Sequence, residues 1–273
     1  MKTKTLSVLS LVLAVLVLFA ACGGGGDSVD GLSGNILLNG STSVERVIAS
    51  LSEAFNEANP GVVLTFNPTG SSAGITSAIE GTADIGLSSR DLREEEATGV
   101  TATTFAMDGM AVLVHPENPV SDLTLEQLYG IYSGQITNWS EVGGSDQPIA
   151  TIGREAGSGS RGAFDELVGL DEPLHVQELT SGGAVITAVA QNPYAIGYAS
   201  LSAVNDTVGI VAIDGVQISE ATLIDGTYPV ARPFLMMTTV GAKPSPAVLA
   251  FMEFVMSPEA TEIITNAGVV QVR

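Results

Sequence analysis

The sequence predicts an α/β fold with an open sheet that presents its ligand-binding loops at the carboxyl ends of its strands. Two observations predict it. Three times between residues 34 and 90 an apolar, strand-like run empties into a Gly/Ser/Thr turn before a helix. A fourth junction, Arg154-Glu-Ala-Gly-Ser-Gly-Ser-Arg161, joins an apolar run at 148–153 to a helical pattern at 162–168. It places two guanidinium groups beside hydroxyls and glycines, with the free N–H groups of a helix start aimed at the same spot. An anion of phosphate size suits such a cradle.

The elements follow in order. Lys2 and Lys4 precede an apolar run from Leu6 to Ala21 that is too short for a permanent membrane span, so residues 1–21 read as a secretory signal. The only cysteine, Cys22, closes Phe19-Ala-Ala-Cys22, which resembles the lipobox of bacterial lipoproteins; residues 22–33, with Gly23 to Gly26, then form a lipidated flexible tether. A strand over 34–38 ends in Asn39-Gly-Ser-Thr-Ser43. Val47, Ile48, Leu51 and Phe55 at helical spacing predict a helix over 44–59, stopped by Pro60-Gly61. A strand over 62–66 runs into Asn67-Pro-Thr-Gly-Ser-Ser-Ala-Gly74, a helix over 75–80, and a strand over 83–87 that ends in Ser88-Ser89-Arg90. Further strands are predicted at 110–114 and 233–240 and helices at 124–131 and 245–256, with a loop at Asn138-Trp139. Residues 180–190, 195–198 and 208–213 continue the mixed pattern.

Composition narrows the function. Thirty acidic residues face ten basic ones, a net charge of −20 that becomes −22 once Lys2 and Lys4 leave with the signal. Such a surface argues against nucleic acid and anionic lipid as partners. Of the eight basic residues that remain, Arg90, Arg154 and Arg161 lie beside hydroxyl clusters, although Arg90 and Arg161 are equally suited to pairing with carboxylates. A single cysteine excludes an intramolecular disulfide. No Gly-x-x-x-x-Gly-Lys loop occurs. His115 and His175 lack ligand spacing and read as structural, so no metal or cofactor is expected. Asp108 and Glu117 read as solvated, and Met236-Met237 as core. Two rival readings of residues 154–161 stay open on spacing alone. One is an ordinary flexible turn, and the other is a dinucleotide fingerprint from Gly157, Gly159 and Gly162, with Glu178 as the ribose-binding acid.

The turns together resemble the phosphate-binding lipoproteins of bacterial ABC importers, within the class of two-lobed periplasmic-type binding proteins. The resemblance is carried by Gly40-Ser-Thr-Ser43, Gly70-Ser-Ser-Ala-Gly74, Asp84-Ile-Gly-Leu-Ser-Ser-Arg90, Asn118-Pro-Val-Ser-Asp-Leu-Thr124, Ile131-Tyr-Ser-Gly134, Thr137-Asn-Trp-Ser140, the 154–161 segment, Ala195-Ile-Gly-Tyr198 and Phe254-Val-Met-Ser-Pro-Glu259. It implies two α/β lobes, 34–113 with 236–273 and 114–235, each a mixed sheet flanked by helices, joined by crossing strands near 110–114 and 233–240. It implies phosphate held by Thr42, Ser43, Ser72 and Ser89 from one lobe and by Arg154, Ser158, Gly159 and Ser160 from the other. Arg90, Glu155 and Arg161 stand behind them. Some family members carry an aspartate where this chain has Ser89, a carboxylate that accepts the proton of hydrogen phosphate and helps reject sulfate. Glu155 is a candidate substitute. The implied protein is a lipid-anchored extracytoplasmic monomer without catalysis that delivers inorganic phosphate to an ABC permease. The rivals are a binding protein for sulfate, molybdate or a phosphonate, and a secreted phosphate-ester enzyme.

Overall fold

The structure, a computed structural model, describes residues 31–272; the signal segment and the Cys22 lipidation position lie outside the described residues. In chain order the elements are β1 (Ser33–Gly40), a 3-10 turn (Thr42–Val44), α1 (Glu45–Ala58), β2 (Gly61–Pro68), α2 (Ser71–Glu80), β3 (Ile85–Ser88), α3 (Glu94–Ala97) and β4 (Val100–Val114). Then come β5 (Asp122–Leu123), α4 (Leu125–Tyr132), β6 (Ala150–Arg154), α5 (Gly159–Val168), β7 (Gln177–Leu179), α6 (Gly182–Gln191), β8 (Ala195–Ser200) and β9 (Gly209–Ile213). The chain closes with α7 (Glu220–Ile224), β10 (Ala231–Thr239), α8 (Pro246–Met256), α9 (Thr261–Asn266) and β11 (Val270–Gln271).

The strands form a curled mixed sheet in the order β2-β1-β3-β10-β4-β8-β6-β7, with β11 and β9 also on β4 and β5 on β9. β1 runs parallel to both β2 and β3, so Gly40, Pro68 and Leu87 finish side by side at one edge. β6 runs parallel to β7 and β8, so Arg154, Leu179 and Ser200 finish together at another. These carboxyl ends are where an open α/β sheet binds ligands.

The apolar core of the described residues divides into two large clusters. One gathers Ile36, Leu38, Ile48, Leu51, Phe105, Phe234 and Phe251. The other gathers Val112, Leu113, Trp139, Phe164, Val185, Ile196 and Tyr198. A smaller cluster holds Ile75, Ala78, Val100, Leu235 and Met237. Two long antiparallel strands thread both large clusters: β4 gives Phe105 and Ala106 to the first and Met110 to Val114 to the second, while β10 gives Phe234 and Met236 to the first and follows Val230 of the second. Met236 and Met237 are fully buried, as their core reading requires.

The elements differ from the sequence reading chiefly at their starts. α2 begins at Ser71 rather than residue 75, α5 at Gly159 rather than 162, and β4 at Val100 rather than 110. In the two helices the missing turn is polar or small, and apolar periodicity cannot register it; the first half of β4 mixes Val100, Phe105 and Met107 with threonines and Asp108 and shows no clean alternation. Asn138-Trp139 opens a 3-10 turn rather than a plain loop; Trp139 is buried and its Nε1–H donates to the Tyr194 carbonyl at 2.9 Å. Among the described residues no helix is long and apolar enough to cross a membrane.

Candidate functional site

Four Ser-rich junctions meet at the strand ends. The first is bent by Gly40, whose φ of 150° and contact with the Leu87 backbone leave no place for a β-carbon. The chain then turns so that Thr42 starts a 3-10 helix, Ser71 starts α2, and Gly159 starts α5 behind its N-cap Ser158. Three helical N-termini, each with first-turn N–H groups free of intrahelical partners, thus surround one cluster of side chains.

Within it, the Ser41 hydroxyl donates to Ser89 Oγ at 2.7 Å, and Ser89 N–H donates to Ser71 Oγ at 3.1 Å. Ser43 and Ser160 share a hydroxyl hydrogen bond of 2.8 Å across the two sets of turns. Ser72 meets the opposite set through its backbone, N–H donating to the Gly157 carbonyl at 3.3 Å. Gly159 sits against Ser71 and Ser89 so closely that a β-carbon there would collide with both hydroxyls. Ser158 caps α5, its Oγ accepting from Arg161 N–H at 3.3 Å.

Arg154 is buried and held from three sides. Its Nε donates to Glu155 and to the Leu179 carbonyl, and its Nη2 donates to Glu155, the Thr180 carbonyl and Thr42 Oγ1, all between 3.0 and 3.2 Å. Nη1 points into the cluster, 3.5 Å from Ser160 Oγ. Behind it, the Arg154 N–H donates to Tyr198 Oη at 3.4 Å, and the Tyr198 ring stacks on Phe164 at 3.9 Å between centroids.

A second guanidinium, which sequence reasoning left unassigned, reaches the same hydroxyl: Arg232 Nη1 donates to Ser160 Oγ at 2.8 Å and lies 3.3 Å from Ser89 Oγ. Its Nε and Nη2 donate to Asp108 Oδ2 at 3.0 and 2.9 Å, and Ser200 donates to the other Asp108 oxygen at 2.7 Å. Asp108 is therefore not solvated: it is fully buried, opposite Arg232 in the β4–β10 register. Burial pushes its carboxyl pKa up and that of Arg232 down, and each partner's charge opposes the other's shift.

The remaining candidates stand back. Arg90 forms a two-pronged ion pair with Glu96 at 2.8 Å, and Arg161 binds Glu178 at 2.7 Å and Asp165 at 3.5 Å. Glu178 engages Arg161 and His175, and Gly159 is filled by serine hydroxyls, so the dinucleotide spacing corresponds to a different set of contacts. The His175 side chain is buried against Tyr132. A cleft of about 560 Å³ opens beside Thr42 and Ser43, walled by Arg46, Thr180, Ser181, Gly182 and Ser202.

A profile described as the PBP superfamily domain matches residues 25–259. The phosphate-binding protein PstS of Bacillus subtilis is 33% identical over 248 residues, which cover 84% of this chain and 82% of the relative. The chain belongs to the PstS family. Two solved structures show the same fold. One is a phosphate ABC transporter substrate-binding protein from Clostridium perfringens with bound phosphate, 40% identical at a TM-score of 0.84, covering 88% of this chain and all of that one. The other is an ABC-type phosphate transport receptor from Vibrio cholerae, 36% identical at a TM-score of 0.75, covering 86% and 99%. The PstS-like fold explains why the serine turns converge: each follows the carboxyl end of a strand. Ser41, Ser71, Asp108 and Arg232 are the members that sequence reasoning missed. Ser41 and Ser71 adjoin residues it chose, and Arg232 could have been flagged as a scarce cation inside an apolar strand.

Proposed function

We propose that this protein captures inorganic phosphate outside the membrane and delivers it to the permease of an ABC importer. The observation that carries the reading is the convergence of guanidinium nitrogens, serine hydroxyls and helical N-termini on one buried cluster bridged by Ser43 and Ser160. The relatives' names point to the same ligand and transport system.

The proposed ligands are Thr42, Ser43, Ser72 and Ser89 on one side and Arg154, Ser158, Gly159 and Ser160 on the other, with Glu155 orienting Arg154. Hydroxyls that now bond to one another would rotate to donate to the anion, the first-turn N–H groups of α2 and α5 would add dipolar stabilisation, and Arg154 Nη1 would add a charge-assisted bond roughly twice as strong as a neutral one. Local donors, rather than net charge, hold the anion, so a chain at −20 can do so. We assign residues 34–113 with 236–273 to one lobe and 114–235 to the other. β4 and β10 would act as the crossing strands, and closure around the anion would exclude water. Cys22 would carry the lipid that keeps a monomeric binding protein at the membrane.

Another oxyanion is the second reading, favoured by Ser89, a hydroxyl where some family members carry a carboxylate. Calorimetric titration with phosphate and sulfate near neutral pH separates the two. Tighter phosphate binding is expected, and tighter sulfate binding would overturn the phosphate assignment.

A further inference from the structure

Arg232 and Asp108 sit on the two strands that run through both apolar clusters, as direct cross-strand partners. The pair engages only one edge of the guanidinium. Asp108 engages Nε and Nη2, and the Arg232 guanidinium carbon lies 5.6 Å from the centroid of the Phe234 ring, which helps fix its plane. Nη1 is left directed away from the carboxylate, into the serine cluster. There it meets only neutral oxygens: Ser160 Oγ, Ser89 Oγ and the Ser89 carbonyl, three acceptors for two N–H bonds.

Arg154 Nη1 reaches the same Ser160 oxygen. Ser160 Oγ can accept from both guanidinium groups only by donating its proton onward to Ser43, so one hydroxyl oxygen stands at the meeting point of two buried cations. Two like charges converging on a neutral oxygen are stabilised when a negatively charged oxygen takes up their donors. A carboxylate at position 89 would lie against Nη1 and neutralise it; Ser89 leaves that donor for a ligand.

We infer that Arg232 is a second guanidinium ligand of the bound oxyanion, contacting it through Nη1 while Asp108 holds the other edge of the fork. The inference rests on the anion-binding reading above but not on which anion is bound. The anchor belongs to β4 and β10 rather than to a serine turn, so both sets of turns would close onto a charge already in place.

The test is calorimetric titration of the protein with phosphate, sulfate and molybdate in parallel, the variants being measured with whichever anion the wild type binds. Arg232→Gln should weaken binding about 30-fold or more, with Arg232→Lys recovering part of the loss. Because Arg232→Gln strands the buried Asp108 charge, the double variant Asp108→Asn/Arg232→Gln is measured beside it; it should fold and still bind weakly. Wild-type affinity in either folded Gln variant would make Arg232 purely structural and overturn the inference, leaving the anion-binding reading intact. A wild type that binds none of the three anions would overturn both. A crystal structure of the wild type with its anion decides even if the variants fail to fold. Arg232 Nη1 should lie within about 3.2 Å of an anion oxygen, and a protein group interposed between them would refute the contact.

Discussion

Arg154 and Arg161 close the two ends of one short segment, yet they face opposite surroundings. Arg154 is 1% exposed, shares its charge with one carboxylate, Glu155, and directs Nη1 at a serine hydroxyl. Arg161 is partly exposed and sits between two carboxylates, Asp165 and Glu178, with Nη1 also donating to the Arg154 carbonyl. The N-terminus of α5 therefore has a front where guanidinium nitrogens left over from their carboxylate partners reach serine hydroxyls, and a back whose cation is matched or outmatched by negative charge. An anion is stabilised at the front and repelled at the back.

The contrast is broken most severely by Arg154→Ala. Phosphate affinity measured by calorimetry should fall by about 2–5 kcal/mol, the loss typical of a buried charge partner, while the fold is retained. Gly159→Ala comes next. Its β-carbon collides with the Ser71 and Ser89 hydroxyls, so the two sets of turns must separate, and an overpacking cost of about 1–3 kcal/mol should appear as weaker phosphate binding. Arg161→Gln should change phosphate affinity by less than about 1.4 kcal/mol, a factor of ten, because its charge is engaged by carboxylates behind the site.

The smallest effect lies at the back and is read through pH. Burial raises the Asp165 pKa to about 6, with Arg161 drawing it down. A carboxyl whose pKa is raised on folding contributes stability that is fully present below its unfolded value, near 4, and lost as pH climbs through about 6. Urea unfolding of Asp165→Asn should thus lose less stability than the wild type between about pH 4 and pH 7.

The same contrast shows what was legible in the chain. Arg154 and the glycine-serine run were readable because strand, turn and helix start are adjacent in sequence, and local order places their donors. Ser72 rests on the family resemblance, because the polar first turn of α2, ahead of Ile75, carries no periodic signal that would set its rotation. In the structure Ser71 Oγ faces Ser89 while Ser72 contributes its N–H. Asp108 and Arg232 were beyond reach for another reason. Each is a lone charge in an apolar strand, and only the register of β4 against β10, 124 residues apart, brings them opposite one another. Read singly, a charge in a strand is most cheaply placed in water; paired and hydrogen-bonded, it can be buried.

Anomalous scattering from crystals soaked in arsenate, a heavy analogue of phosphate, locates the bound tetrahedral anion directly. The predicted result is one strong arsenic peak among Thr42, Ser43, Ser89, Arg154 and Ser160. A peak beside Arg161 instead, or none among those residues, would contradict it.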